Sequence, residues 1–358
     1  MIIRSDDNTE KSKESRVVSP SVTSSETSEE NTGEKGDTGV FENKLRPLTF
    51  GEYVGQQKIK QNLTISIKAC KKRKEPIEHI LLHGSPGLGK TTLASIIAKE
   101  MGVSMKITSG PTLEKQGDLA AIISNLSDND VLFIDEIHRI RPAVEEILYT
   151  AMEDFGIDIV LGKGPSAKSM RINLPKFTLI GATTKVSMLS APLRDRFGHN
   201  FRLDFYNTDD IRAIVNRSAG ILDCKIEDSA AELLSHCSRQ TPRIANRLLK
   251  RVRDYADYHD ADVIGIEIVK KALDALGVDM KGLDHVDREI LFSIIDKFRG
   301  GPVGLNTIAA STSEEQATIE DIYEPYLIKL GMLERTSRGR IATPRAYEHL
   351  GIEEPLKT

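Results

Sequence analysis

Gly84-Ser-Pro-Gly-Leu-Gly-Lys-Thr91 completes the pattern G-x-x-x-x-G-K-[ST], and its neighbours suit a phosphate-binding loop. Before it runs the apolar Ile80-Leu81-Leu82. After it, Leu93, Ile96, Ile97 and Met101 recur on one face of a helix expected over Thr92–Met101. Strand, glycine-rich turn and helix is the context in which the pattern carries a mechanism. Gly87 and Gly89 free the backbone to curl its N–H groups around phosphate oxygens, and Lys90 reaches the β and γ phosphates. Thr91 offers its hydroxyl to Mg²⁺, and the positive end of the helix faces the anion.

Outward from the loop, Phe41 to about Asp204 alternates apolar strands with amphipathic segments, the α/β pattern of a helix-covered parallel sheet. Strands are expected at Ile80–Leu82, Val103–Ile107, Val131–Ile134 and Phe177–Gly181. Between Ile157 and Leu174 the rhythm breaks around Gly-Lys-Gly-Pro, which predicts a projecting β-hairpin. The large domain then spans residues 41–206, with this insertion at 157–174. Residues 207–280 carry helical apolar spacing, such as Ile211, Ile214 and Val215, and predict a small helical lid. Residues 281–358 give helices near Asp287–Phe298, Gly304–Ala310 and Thr318–Leu330, then a turn-rich ribbon; this order suggests a winged helix.

The chain has 358 residues with 49 Lys/Arg and 53 Asp/Glu, a formal charge of −4. Residues 1–40 hold five of those bases and nine of the acids, along with thirteen Ser/Thr. They lack the apolar surface to fold alone and read as a disordered tail. The remainder is balanced, so nucleic-acid contact requires a local patch rather than a global field. Cys70, Cys224 and Cys237 are far apart and suggest a reducing compartment without zinc or disulfide frameworks. No apolar run reaches membrane-spanning length, so a cytoplasmic protein with no membrane association is expected.

Val131-Leu-Phe-Ile-Asp135-Glu136 is an apolar strand ending in two acids. Asp135 can hold Mg²⁺ through water, while Glu136 can orient and deprotonate an attacking water. Thr183, past the fourth strand, has a hydroxyl suited to sensing the γ phosphate. Pro192-Leu-Arg194-Asp-Arg196 leaves two readings open: an arginine finger reaching a neighbouring subunit's nucleotide, or a surface ion pair of Asp195 with Arg194 or Arg196. Thr241-Pro242-Arg243 opens a lid helix, with proline at a favoured first-turn position, and Arg243 can reach over the phosphates. Arg335, Arg338, Arg340 and Arg345 have no acid among them. They suit phosphate contact as well as a solvated basic turn.

This order of parts resembles the AAA+ ATPases. Its detailed words resemble the RuvB family of Holliday-junction branch-migration motors. They are Leu45-Arg46-Pro47 with Gly55-Gln56, the phosphate loop, Leu132-Phe-Ile-Asp-Glu-Ile-His-Arg139, Glu153-Asp154-Phe155 and Leu179-Ile-Gly-Ala-Thr-Thr184. Further on come Ala191-Pro-Leu-Arg-Asp-Arg-Phe-Gly198, Thr241-Pro-Arg-Ile-Ala-Asn-Arg-Leu248 and Arg335-Thr-Ser-Arg-Gly-Arg-Ile-Ala-Thr343. Together they cover about Phe41 to the end.

The resemblance implies that Leu45, Arg46, Gly87, Gly89, Lys90, Thr91 and Thr92 contact ATP, with Thr91 and Asp135 on Mg²⁺. It adds Glu153, Asp154, Phe155, Tyr206 and Arg243 to the pocket. Arg196 becomes the finger, Thr183 the sensor, and Arg335, Arg338 and Arg340 DNA contacts. It further implies a homo-hexamer on duplex DNA at four-way junctions, RuvA bound through the 157–174 hairpin, and the resolvase RuvC in the wider complex. Ser85 stands where the family's loop usually has proline, and the acidic tail lies outside the common pattern. A GTPase is disfavoured because Asn43-Lys44 continues as Leu45-Arg46 rather than N-K-x-D. A clamp-loader-like switch that binds DNA without translocating is the alternative.

Overall fold

The computed structural model describes residues 44–161 and 168–354. The Ser/Thr-rich tail and the Gly-Lys-Gly-Pro tip of the insertion lie outside the described residues. Strands β1 (Ile80–His83), β2 (Met105–Ser109) and β3 (Val131–Asp135) are followed by an antiparallel hairpin, β4 (Gly156–Leu161) and β5 (Lys168–Asn173). Next come β6 (Thr178–Thr183) and β7 (His199–Arg202). Apart from the hairpin, these strands form one parallel sheet in the order β2-β3-β6-β1-β7.

Alternation along the strands explains why the sheet is covered on both faces. Ile80, Leu82, Val131, Phe133, Ile180 and Ala182 join one core with Leu63 of α1 (Gln57–Arg73) and Leu93, Ile96 and Ile97 of α2 (Lys90–Met101). The intervening Leu81, Leu132, Ile134 and Leu179 join a second, with Ile123 of α3 (Gln116–Ser124) and Leu148 of α4 (Pro142–Asp154). Each fully buried Val, Leu, Ile or Phe among them stabilises by roughly 1.5–3 kcal/mol. Register then sets the site: His83 pairs with Thr183, and Ser109 pairs with Asp135. The loop after β1, the acids ending β3 and Thr183 therefore share the carboxyl edge, where open parallel sheets bind ligands.

Two expectations about strands shift. The second strand starts at Met105 rather than Val103, because Gly102 turns left-handed (φ 79°) and Val103 donates back to Ala98, closing α2 first. β7, absent from the expected set, is a half-buried His-Asn-Phe-Arg strand held by pairing with β1. Its polar sequence gives little strand signal.

A short helix, α5 (Ala191–Asp195), precedes the lid helices α6 (Thr208–Ile221), α7 (Asp228–Cys237), α8 (Pro242–Tyr258) and α9 (Ile266–Ala275). Their buried faces continue the first core. Two-residue strands β8 (Lys225–Ile226) and β9 (Val263–Ile264) pair in parallel within the lid and were not anticipated.

The C-terminal region has its own core. It comprises α10 (His285–Phe292), α11 (Leu305–Thr312), α12 (Glu324–Lys329), the antiparallel wing β10 (Leu333–Thr336) and β11 (Gly339–Ala342), and α13 (Pro344–Leu350). The helices expected over Asp287–Phe298 and Thr318–Leu330 contain π turns at Ser293–Lys297 and Ile319–Tyr323. Among the described residues, no helix is long and apolar enough to cross a membrane.

Candidate nucleotide site and arginine wing

The loop leaves β1 by a bond from the Gly84 N–H to the Thr183 carbonyl (3.3 Å). Gly87 (φ 80°) and Gly89 (φ 96°) occupy left-handed backbone, and Gly89 starts α2 without a side-chain cap. The first N–H groups of α2 are consequently available to an anion. Lys90 Nζ donates to the Gly84 carbonyl (2.7 Å) and the Ser85 carbonyl (3.0 Å), spanning the loop from within. Ser85 takes part here through its carbonyl, a group every residue carries. Burial lowers the Lys90 pKa to about 8, with Asp135 opposing and Arg243 adding to the shift. Thr91 and Thr92 follow, half-buried, in the first helical turn.

At the end of β3 the Glu136 N–H donates to Asp135 Oδ1 (2.9 Å), and Glu136 itself is left-handed (φ 47°). Gly110 makes room for this kink, since a Cβ there would lie 2.3 Å from the Glu136 carbonyl oxygen. The Glu136 carboxylate pairs with Arg139 (3.0 Å) on the half-exposed surface. Thr183 is buried; its hydroxyl accepts from the Lys185 N–H (2.9 Å) and bonds His138 Nδ1 (2.8 Å). With one hydrogen already arriving at the oxygen, the Thr183 O–H is free to donate to a neutral imidazole. Burial, which lowers the His138 pKa, favours that neutral form.

The lid closes on the loop through the main chain: the Arg243 N–H meets the Gly87 carbonyl (3.4 Å). Tyr206 Oη bonds Tyr53 Oη (3.2 Å) and the Leu88 carbonyl (3.2 Å), while Tyr53 packs beside Gly89. Leu45 is buried, and its carbonyl accepts from Arg217 of α6 (2.8 Å); Arg46 follows half-buried. Sequence reasoning missed Tyr53, His138 and Arg217. Tyr53 and Arg217 stand in no motif with a spacing rule, and His138, though it lies two residues past Glu136 in a quoted family word, carries no role of its own there.

Glu153, Asp154 and Phe155 gather elsewhere. Arg196 Nη2 pairs with Glu153 (3.1 Å), its guanidinium lies 4.5 Å from the Tyr149 ring centroid, and Nη1 donates to the Pro192 carbonyl (2.8 Å). The ion pair considered for Asp195 is replaced by this one. Arg196 Nε is buried without a hydrogen-bond partner. Asp154 pairs with Arg171 of β5 (3.3 Å), and Phe155 meets Phe177 edge-on. Hence the partners of this cluster lie outside the phosphate loop of the same chain.

On the wing, Arg335 and Arg340 are cross-strand neighbours, and Arg338 occupies the exposed turn. The acids missing between Arg335 and Arg345 are supplied from upstream. Glu320 pairs with Arg335 (3.2 Å) and Glu324 with Arg340 (2.9 Å); Arg340 is only 11% exposed at its side chain and Glu324 2%. Arg345 donates to the Leu330 carbonyl (3.4 Å).

Comparison with known proteins matches this geometry along the chain. Residues 45–203 match the P-loop domain of the Holliday junction DNA helicase RuvB, 206–279 the RuvB AAA lid domain, and 280–351 the RuvB C-terminal winged helix domain. The solved Thermotoga maritima RuvB Holliday junction branch migration motor is 50% identical, with 87% of this chain and 100% of that one covered, at a TM-score of 0.81. A lysine-to-arginine mutant of the same protein gives 50%, 87% and 99%, at 0.81. A phosphate loop closed by its lid, paired acids on the adjoining strand and an arginine wing thus occur together along a sequence half identical to a solved motor, and the chain belongs to the RuvB family of AAA+ ATPases.

Proposed function

We propose that this chain is an ATP-driven DNA motor that works as a homo-hexameric ring and drives branch migration at four-way junctions. The observation that carries the reading is the division of its chemistry. Lys90, Asp135, Thr183 and Arg243 lie about one phosphate loop, with Glu136 following Asp135 in the chain, whereas Arg196 is turned onto Glu153 and Tyr149. A finger that leaves its own loop unserved suits a neighbouring subunit's nucleotide. Glu153, Asp154 and Phe155, which accompany it, suit the same face.

In this reading Lys90 and the loop N–H groups bind the β and γ phosphates, and Arg243 carries the lid onto them. Leu45, Arg46, Thr92 and Tyr206 complete the pocket. Glu136 takes the proton from the attacking water once its carboxylate leaves Arg139, and Thr183 orients against the γ phosphate. A metal would rest on Thr91, Asp135 and phosphate oxygens, the sparse protein ligation that Mg²⁺ favours. Mg²⁺, when bound, neutralises charge on the transferred phosphoryl group. An arginine finger contributes about 10³–10⁵ in rate.

The wing residues Arg335, Arg338 and Arg340 contact phosphates without reading sequence, as a motor running along any duplex requires. The β4–β5 hairpin is the proposed seat for RuvA, with RuvC in the wider assembly, and the setting is cytoplasmic recombination and DNA repair. Mixing inactive Lys90→Ala and Arg196→Ala proteins tests the shared site: ATPase activity should return. No recovery at any ratio overturns it. The motor itself is tested by ATP-dependent movement of a synthetic four-way junction with RuvA present.

A further inference from the structure

We infer that Arg239 is a positioning residue that clamps the winged-helix domain to the lid, so that both follow the phosphate loop as one body. The inference rests on the motor reading above and concerns how that motor transmits its stroke. Between the end of α7 and the start of α8 lie Arg239 (φ 54°) and Gln240 (φ 55°), consecutive left-handed residues that are not glycine. Such backbone persists only where the surroundings over-determine it.

Each kink serves a contact. The Gln240 carbonyl accepts from the Tyr206 N–H (3.1 Å) at the exit from the sheet domain, and the Arg243 N–H meets the Gly87 carbonyl (3.4 Å). Arg239 points the other way, into the winged-helix domain. A stretch of residues 239–243 thereby touches all three parts of the molecule.

The Arg239 grip is tight and directional. Its side chain is 6% exposed; Nη2 lies 2.7 Å from Asp287 Oδ1, on a side chain that is 0% exposed, and Nη1 lies 3.6 Å from Asp284 Oδ2. The rings of Tyr323 and Tyr326 approach its guanidinium at 5.6 and 5.1 Å. Asp287 is fixed in turn, because its Oδ2 accepts from the Asp284 N–H (3.0 Å) in the capping box of α10. Planar guanidinium held at its edges and by rings resists rotation in a way that a single ammonium does not.

Among the described residues, the ion pairs of the same domain with the sheet domain are of another kind. Lys185 meets Asp321 at 3.0 Å and Glu320 at 3.7 Å, with side chains 24–34% exposed. Partly exposed ammonium–carboxylate pairs are screened and easily broken. A stiff joint to the lid and a soft one to the sheet domain direct any lid movement into the wing.

Distances in the full-length protein test this, with spin labels at Lys271→Cys in the lid, Lys329→Cys beside the wing and Lys99→Cys in the sheet domain, all in a Cys224→Ser background. Between ADP and a non-hydrolysable ATP analogue, the lid-to-wing distance should stay fixed while the sheet-to-wing distance changes. A lid-to-wing shift as large as the sheet-to-wing shift, or no sheet-to-wing shift, overturns the clamp. Junction migration per ATP hydrolysed gives the second readout. Arg239→Met should lower that ratio at least tenfold with ATP turnover within about twofold. Arg239→Lys should regain melting temperature but not the ratio, whereas a merely structural role makes the two recover together. A wild-type ratio in Arg239→Lys or Arg239→Met overturns the proposal, while a wild type that moves no junction rejects the motor reading instead. If both variants fail to fold, the wild-type distances still decide.

Discussion

Lys185 Nζ lies 3.0 Å from Asp321 Oδ2, joining the segment just beyond Thr183 to the winged-helix domain. The neighbouring Glu320 is shared: one of its carboxylate oxygens faces Lys185 and the other faces Arg335 at 3.2 Å. On the proposed DNA contact, phosphates would compete with Glu320 for Arg335. Glu320→Gln should therefore raise duplex affinity about two- to fivefold at low salt, the worth of about 0.5–1 kcal/mol for an exposed pair. The slope of log affinity against log salt should steepen by up to about 0.9, one added phosphate contact. Fluorescence anisotropy across a salt series measures both, and an unchanged slope would mean that phosphates do not meet Arg335.

The two wing arginines should behave differently under substitution. Arg335→Ala removes a half-exposed cation from Glu320 and, at the longer distance of 3.8 Å, from Glu324, and should cost about 1 kcal/mol of stability. Arg340→Ala leaves the Glu324 carboxylate, 2% exposed, without its closest cation. Breaking a buried pair costs roughly 3–5 kcal/mol, reduced here because Arg335 stays 3.8 Å from Glu324 Oε1. Denaturant unfolding separates the cases, and equal losses would contradict the burial difference. DNA-binding defects of Arg340→Ala must accordingly be read against its folded fraction.

Lys90 supplies a pH prediction. With its pKa held near about 8 by burial, the free site carries about half a proton on Lys90 at pH 8. Phosphate oxygens favour the charged amine, so nucleotide binding should take up roughly half a proton at pH 8 and less at pH 7. Calorimetry in two buffers of different ionisation enthalpy reads the uptake directly. The sign for folding follows from the same shift. Between about 8 and the ordinary lysine value of 10.5 the unfolded chain holds more protons here. Nucleotide-free wild type should thus gain stability relative to Lys90→Met as pH rises through that window.

Gly87→Ala probes the closure of the lid. Gly87 sits at φ 80°, and an added Cβ would stand 3.1 Å from the Arg243 Cβ. Left-handed backbone costs an alanine about 1–2 kcal/mol, and the lid helix must also retreat. Nucleotide affinity should fall at least tenfold while the melting temperature drops by only a few degrees. Wild-type binding of a fluorescent ATP analogue would refute the coupling of loop and lid.

Much of this architecture was legible because it rests on local rules. The loop from Gly84 to Thr91 needs its glycines for backbone reasons, and the alternation in Val131–Ile134 marks a sheet covered on both faces. What escaped depends on distant partners. β7 is a strand only because β1 offers it hydrogen bonds. The run of arginines from Arg335 looked free of acids since Glu320 and Glu324 lie on another element. Glu153 pairs with Arg196, a relation that no spacing rule encodes.

The bond between the Arg243 N–H and the Gly87 carbonyl has a further consequence for how such chains can be divided. The phosphate loop and the paired acids both fall before the lid begins, so a fragment ending near Arg202 would keep them. It would nevertheless be a vessel without its roof, missing Tyr206 over Leu88 and Arg243 over Gly87. Motif inheritance and competence part company at that cut, and exchange of lids between relatives should succeed only where the backbone at residues 239–243 is exchanged with them.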